Sequence, residues 1–213
     1  MMTFLNLVIA ILAGVAAGLY GRRWIEHCYD SYTPQSGVLS YSRDHLSFLR
    51  ERLMPAVLAG LFCWTLLRWQ GSLLALVFTC VAEFFLVLCT VTDLEQEVIF
   101  DRMLAPFAVI GFLGCLLLDW SLLNHLIAAG GAIVVFLALS LLTRGAIGGG
   151  DIKLMGTLGL WLGTSQTTDV GIYGLIIGGL LAALLIATKR RGLHDTFAYG
   201  PCFTIVALLM LLP

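Results

Sequence analysis

The stretch Ser72–Thr92, SLLALVFTCVAEFFLVLCTVT, holds one acidic or basic residue, Glu83, in an otherwise apolar run. A hydrocarbon core about 30 Å thick needs roughly 20 apolar residues of helix to cross it, and this run supplies them. Similar runs cover Met2–Tyr20, Leu53–Trp69, Met103–Leu118, Leu122–Leu142, Leu154–Gly163, Val170–Thr188 and Phe197–Leu212. The chain of 213 residues is 60% hydrophobic and only 12% charged, with a mean hydropathy of +0.97, far from the balance of a soluble domain. The expectation is an all-α, polytopic membrane protein of about eight transmembrane helices, with residues 1–213 forming a single membrane domain. The run Leu154–Gly163 is short for a crossing, so its helix either starts in a protein-lined notch or extends back through Asp151–Lys153. Met2–Tyr20 lacks a basic start and a small-residue cleavage site, and reads as a retained anchor.

Lys and Arg are retained on the cytoplasmic side of a membrane in short loops, which sets the orientation. With the N-terminus outside, Arg22, Arg23, Arg43, Arg50, Arg52, Arg102, Arg144, Lys153, Lys189, Arg190 and Arg191 fall inside. Of the twelve Lys and Arg, only Arg68 falls outside. The net charge of −1 comes with no basic arm, so nucleic acid is not an expected partner. The six cysteines have no CxxC pair, and His27, His45, His125 and His194 have no ligand-like spacing, so no metal or other cofactor is expected. Gly21–Arg52 reads as the one extended polar loop, cytoplasmic, with a turn at Tyr32–Gly37. Lys189-Arg190-Arg191 first fixes topology and adds a weak attraction for anionic membrane lipid.

Under this topology the run ending at Thr92 gives way to DLEQEVIFDR on the cytoplasmic side, and the run ending at Leu142 turns through TRGAIGGGD on the same side. Asp93 and Asp151 are thus expected at one membrane boundary, from helices distant in sequence. Two carboxylates that approach closely share a proton, so that one activates water as a general base while the other donates to a scissile carbonyl. Gly148, Gly149 and Gly150 permit positive φ and remove side chains beside Asp151, which opens the backbone to an extended substrate. Taken singly, each aspartate also reads as an acid at a helix end, and Asp151 as an N-cap favoured by the helix dipole. Lys153 partners Asp151 or reaches for the interface. Glu95, Glu97, Asp101 and Arg102 form a solvated loop whose acids are candidates for contacting a basic substrate peptide. Glu83, about 15 Å along the helix from Asp93, is either an intramembrane functional acid or a protonated one bonded to a neighbouring helix. Gly156, Gly159 and Gly163, with Gly171, Gly174 and Gly178, fit close helix packing.

At these two acid motifs the sequence resembles the type IV prepilin peptidases, membrane aspartic proteases of the GxGD type. Gly148-Gly149-Gly150-Asp151 continues as IKLMGTLGLWLG, similar to the family's GDxKLxxxxGxxLG, and VTDLEQEVIFDRML resembles its other aspartate motif, with Phe100 where the family has proline. Ala198–Phe203, AYGPCF, is similar to a further family segment. The resemblance implies that Asp93 and Asp151 are catalytic. It implies that prepilins or pseudopilins, each a basic leader ahead of a hydrophobic helix, are cleaved at the cytoplasmic face of a bacterial-type inner membrane. Many bacterial relatives carry a cytoplasmic insert with CxxC pairs that accompanies N-methylation. Gly21–Arg52 is a short loop in its place, holding only Cys28, with Leu49–Phe62 resembling the segment after the insert, which argues against structural zinc and against methylation. Two other readings are a presenilin-like intramembrane aspartyl protease, whose other acid lies in a YD context, and a small proton- or cation-coupled transporter using Glu83, Asp93 and Asp151. A structural assembly factor would need neither aspartate. The oligomeric state is not encoded in any feature of the sequence.

Overall fold

The computed structural model describes residues 2–36, 47–143, 145, 147–188 and 199–213, with side chains of 2, 3 and 32–36 left out. Arg43, His45, Arg144, Lys189-Arg190-Arg191, His194 and Ala198 lie outside the described residues, as do the side chains of the expected turn from Tyr32. Among the described residues there is no strand. The helices are α1 (Met2–Ser36), a π-helical turn (Leu49–Leu53), α2 (Met54–Arg68), α3 (Leu73–Gln96), α4 (Asp101–Leu117), α5 (Leu122–Leu142), α6 (Gly149–Ala187) and α7 (Gly200–Leu211). Among the described residues, four helical segments are long and apolar enough to cross a membrane: Phe4–Ser31, Leu73–Gln96, Leu122–Leu142 and Gly149–Ala187. Their outward faces carry Leu12, Leu74, Leu141 and Leu180, each well exposed. Unbroken apolar surface of that kind suits hydrocarbon, not water.

Two expectations change. The Gly21–Arg52 stretch is not wholly a loop, because α1 continues unbroken to Ser36. Gly21, Ile25, Cys28 and Tyr29 are buried at helical spacing and prolong the apolar stripe of α1 past its basic residues. The runs expected as separate helices, Leu154–Gly163 and Val170–Thr188, are two helical stretches that follow one another in α6 and are divided at Gly163, where φ is 69° and ψ is −177°; what differs is that the polar residues between them are helical as well. The polar Thr164–Asp169 link is helical, since Asn124 Oδ1 on α5 accepts from Thr164 N–H at 3.4 Å and from its hydroxyl at 2.6 Å. A side chain from the neighbouring helix thus serves amides that the break at Gly163 would strand. At its start α6 reaches back to Gly149, so Asp151–Lys153 is helical.

The chain groups into two compact units, Met1–Met103 with Leu211–Pro213, and Leu104–Met210. In the first, α1 meets α2 backbone to backbone. A Cβ on Gly14 would lie 2.5 Å from Ala59 Cα, and one on Gly18 would lie 2.4 Å from Pro55 Cα. Around that contact Ile25, Met54, Leu58 and Leu86 are fully enclosed. Thr65 on α2 donates to the buried Glu83 carboxylate on α3, which matches the reading of Glu83 as an acid bonded to a neighbouring helix. An apolar recess of about 740 Å³ lies among α1, α2 and α3, bordered by Ala13, Ala17, Phe62, Val77 and Phe84.

In the second unit α5 and α6 make the equivalent close approach. A Cβ on Gly159 would lie 2.4 Å from Ala129 N, and one on Gly156 would lie 2.5 Å from Ile133 Cγ1. Trp161 Nε1 donates to Phe107 O at 2.9 Å, across the gap that Gly111 leaves for the indole. Gly174 and Gly178 receive the rings of Phe203 and Tyr199 from the α7 end. The spaced glycines therefore serve packing, as their pattern predicts. Gly159→Ala should lower the unfolding free energy by about 1–3 kcal/mol through overpacking against backbone. Gly130→Ala on α5, where a Cβ meets nothing within 4 Å, should not lower the thermal unfolding midpoint in detergent, since alanine is the better helix former.

Candidate active site

Asp93 occupies the last turn of α3. The helix ends at Glu97, whose left-handed conformation (φ 54°, ψ 34°) lets its N–H return to Asp93 O at 2.9 Å. That bond satisfies one of the carbonyls that a helix C-terminus leaves without a partner. Because α3 runs on to Gln96, Asp93 is an enclosed side chain, only 4% exposed, and not the first residue of a loop. The connection to α4 is only Glu97–Phe100, and Asp101 opens the next helix.

Glu95 departs from its expected place in a solvated loop. It is buried, and its Oε2 accepts from Tyr29 Oη at 2.8 Å and from Arg50 Nη1 at 2.9 Å. Arg50, itself buried, also faces Glu26 Oε1 at 3.6 Å, and Glu26 in turn accepts from Arg22 Nε at 3.0 Å. The guanidinium carbon lies 5.6 Å from the Tyr29 ring centroid, and the Tyr29 ring meets Phe100 at 5.7 Å. Sequence reading passed over Tyr29 and took Arg50 only as a topology marker. Their partner stands 66 and 45 positions away, and the one local hint is the buried spacing of Ile25, Cys28 and Tyr29. Glu97 and Asp101 are exposed, as a contact for a basic peptide requires.

Asp151 lies in the first turn of α6 and is 7% exposed. Gly148 is the N-cap, with φ −68° and ψ 152°, and its carbonyl accepts from the amides of Asp151 (3.1 Å) and Ile152 (3.3 Å). Asp151 is therefore inside the helix start and is not its cap. Amides at that end favour a negative charge, whereas Asp93 stands at the negative pole of α3. The glycine triplet does not use the positive φ expected of it, because Gly148 is extended while Gly149 and Gly150 are helical. Among the described residues of this loop, Gly145 has positive φ, 89°, with its N–H bonded to Ser140 O at 2.7 Å. Ser140 Oγ also donates to Ile147 O at 2.8 Å, tying the loop to the end of α5. What the triplet provides is space. A Cβ at Gly149 meets nothing within 4 Å, and one at Gly148 meets only Asp151 Oδ2, at 3.4 Å. Lys153 is exposed one turn into the helix.

His125 is buried with Nδ1 2.9 Å from Ser121 O, and its ring stacks on Trp120, which is a packing role. Among the described residues no three His, Cys, Asp or Glu side chains gather as a metal ion would require. The chemistry on offer is that of carboxylates enclosed at helix ends, in a chain whose helices suit a membrane.

Residues 80–187, which include Asp93 and Asp151, match the model of the type IV leader peptidase family. The chain belongs to that family. It is similar to a prepilin leader peptidase/N-methyltransferase of Aeromonas salmonicida, strain A449, with 30% identity over 172 residues, 75% of this chain and 56% of the relative. The protein of the same name from Aeromonas hydrophila is 27% identical over the same shares. That of Bacillus subtilis, strain 168, is 28% identical over 58% of this chain and 50% of its own. The chain thus spans about half the length of the curated relatives it matches. No solved structure matches it.

The Glu95–Arg50 pair makes a stability prediction. Glu95→Ala removes the carboxylate 2.9 Å from the enclosed Arg50 guanidinium, and should lower the unfolding free energy by about 3 kcal/mol. Arg52→Ala, at an exposed position, should leave the unfolding curve in place. Denaturant or thermal unfolding in detergent reads both.

Proposed function

We propose that the chain is an aspartic endopeptidase of the cytoplasmic membrane that removes the basic leader from type IV prepilins or pseudopilins. The observation that carries this reading is that the family match contains two enclosed aspartates, each at a helix end next to a polar connection. In the proposed reaction, Asp93 and Asp151 act as a dyad sharing one proton. The ionised carboxylate takes a proton from water as the oxygen attacks the scissile carbonyl carbon, and the protonated carboxylic acid donates to the carbonyl oxygen. Collapse of the resulting gem-diol breaks the C–N bond, with a proton delivered to the leaving amine.

The proposal places both aspartates at the cytoplasmic boundary of one membrane domain, in agreement with the charge distribution of the loops. An eight-span arrangement is supported by α6. At about 58 Å it is near twice the thickness of a hydrocarbon core, and its break at Gly163 divides it into two crossings. The open space at Gly148 and Gly149 supports approach of an extended leader junction to Asp151, and the exposed Glu97 and Asp101 offer charge to the leader's basic residues. Glu83, engaged by Thr65, fits helix packing better than an ion path. The absence of any CxxC pair from the sequence supports a peptidase without N-methylation.

Purified enzyme in detergent, incubated with a prepilin, should release the leader. Asp93→Asn and Asp151→Asn should each reduce that release by at least about a thousandfold while accumulating in membranes like the parent protein. Cleavage that persists in either variant would refute the dyad. Mass spectrometry of mature pilin produced by this enzyme alone should show an unmodified amino terminus, and a methyl adduct there would refute the second half of the reading.

A further inference from the structure

The last turn of a helix is its least secure part, held by few backbone bonds and prone to fray. Asp93 sits in such a turn, with its own carbonyl accepting the amide of Glu97 at 2.9 Å. Two residues further on, Glu95 projects from nearly the opposite side of α3, because each residue advances the helix by about 100°. Whatever grips Glu95 therefore sets the rotation at which the Asp93 carboxylate is presented.

The grip comes from three directions. Tyr29 reaches Glu95 Oε2 from α1, Arg50 reaches the same oxygen from the π-helical turn, and Phe100 backs the Tyr29 ring from the segment just after α3. Arg50 can point inward because the helix widens beneath it. Met54 N–H donates to Leu49 O, five residues back, and the next residue, Pro55, has no N–H to restore the tighter pattern. On the same turn Glu51 and Arg52 face outward and are exposed. Single π turns recur where a helix must aim one side chain, frequently at functional sites. A buried ion pair contributes little net stability compared with apolar packing of the same volume, so its usefulness lies in directional geometry.

We propose that Tyr29, Arg50 and Glu95 are positioning residues for Asp93, fixing the rotation and height of the last turn of α3 so that the carboxylate meets the reacting atoms. This rests on the peptidase reading. Displacing a reacting group by about 1 Å costs as much as a hundredfold in rate. Glu95→Gln, which keeps the shape and loses the charge, should reduce kcat on a prepilin by about 10–100-fold with KM within about twofold of the parent. Tyr29→Phe, which removes one hydroxyl, should reduce kcat by about 3–10-fold on the same scale, and the double variant should fall short of the product of the two effects.

Wild type and Asp93→Asn run beside them. If the wild type does not cleave, the peptidase reading is overturned and this proposal with it. If wild type cleaves and both variants keep its kcat per folded molecule, the positioning role alone is overturned. A rise in KM at unchanged kcat overturns it in favour of a direct substrate contact by Glu95. Should Glu95→Gln fail to accumulate, Tyr29→Phe decides by the same measurements.

Discussion

A backbone amide or carbonyl left without a partner in an apolar medium costs several kcal/mol, and the structure follows from avoiding that cost. The apolar runs become helices because only a helix satisfies its backbone from within one segment. The consequence appears at the helix ends, where self-sufficiency fails. Ser72 Oγ takes the Ala75 amide at 3.2 Å at the start of α3, Glu97 returns its N–H to Asp93 at the end, and Asn124 serves the Thr164 amide where α6 breaks. Polar side chains are scarce in this chain, and many of those that are buried stand at such places. The two aspartates of the family match are placed by the same economy, one at a helix end and one at a helix start.

Close packing of the helices needs a second device. Side chains of similar apolarity to lipid gain little by leaving it for one another, so helix contacts rely on approach of the backbones. Gly14 and Gly18 against α2, and Gly156 and Gly159 against α5, allow that approach in the first and second units respectively. Within the first unit this leaves room for a buried ionic cluster, where Arg50, Glu95 and Tyr29 meet, and for the buried acid Glu83, which takes the Thr65 hydroxyl.

Much of the architecture was legible in the sequence because apolar runs and glycine spacing are local signals. The Leu122–Leu142 helix coincides with its apolar run, and Gly156 and Gly159 pack as their spacing implied. What escaped was decided by partners distant in sequence. The polar Thr164–Asp169 stretch reads as a loop until Asn124, 40 positions away, is seen to serve its first amide. The polar residues after Gly21 read as a loop until Tyr29 is seen to be needed beside Glu95. Composition marks Glu95 as solvated, since an isolated acid belongs in water, and nothing local announces that Arg50 neutralises it. The local backbone at Asp151 was not legible: the glycine triplet suggested positive φ before Asp151, and among the described residues of that loop the positive φ is at Gly145.

The paired contacts of α1 with α2 limit how the first unit can move. Gly14 and Gly18 are one turn apart, and each touches the opposite backbone directly. Shifting α1 along its axis by a single residue, about 1.5 Å, together with the rotation that goes with it, would press a side chain where only hydrogen fits. Piston motion is thereby blocked, while swivelling about the contact costs little because both glycines stay at the pivot. Any breathing of this pair is a change of crossing angle, widest at the helix ends and smallest at the glycines. The extension of α1 beyond Gly21, which bears Tyr29, lies on the long arm of that lever.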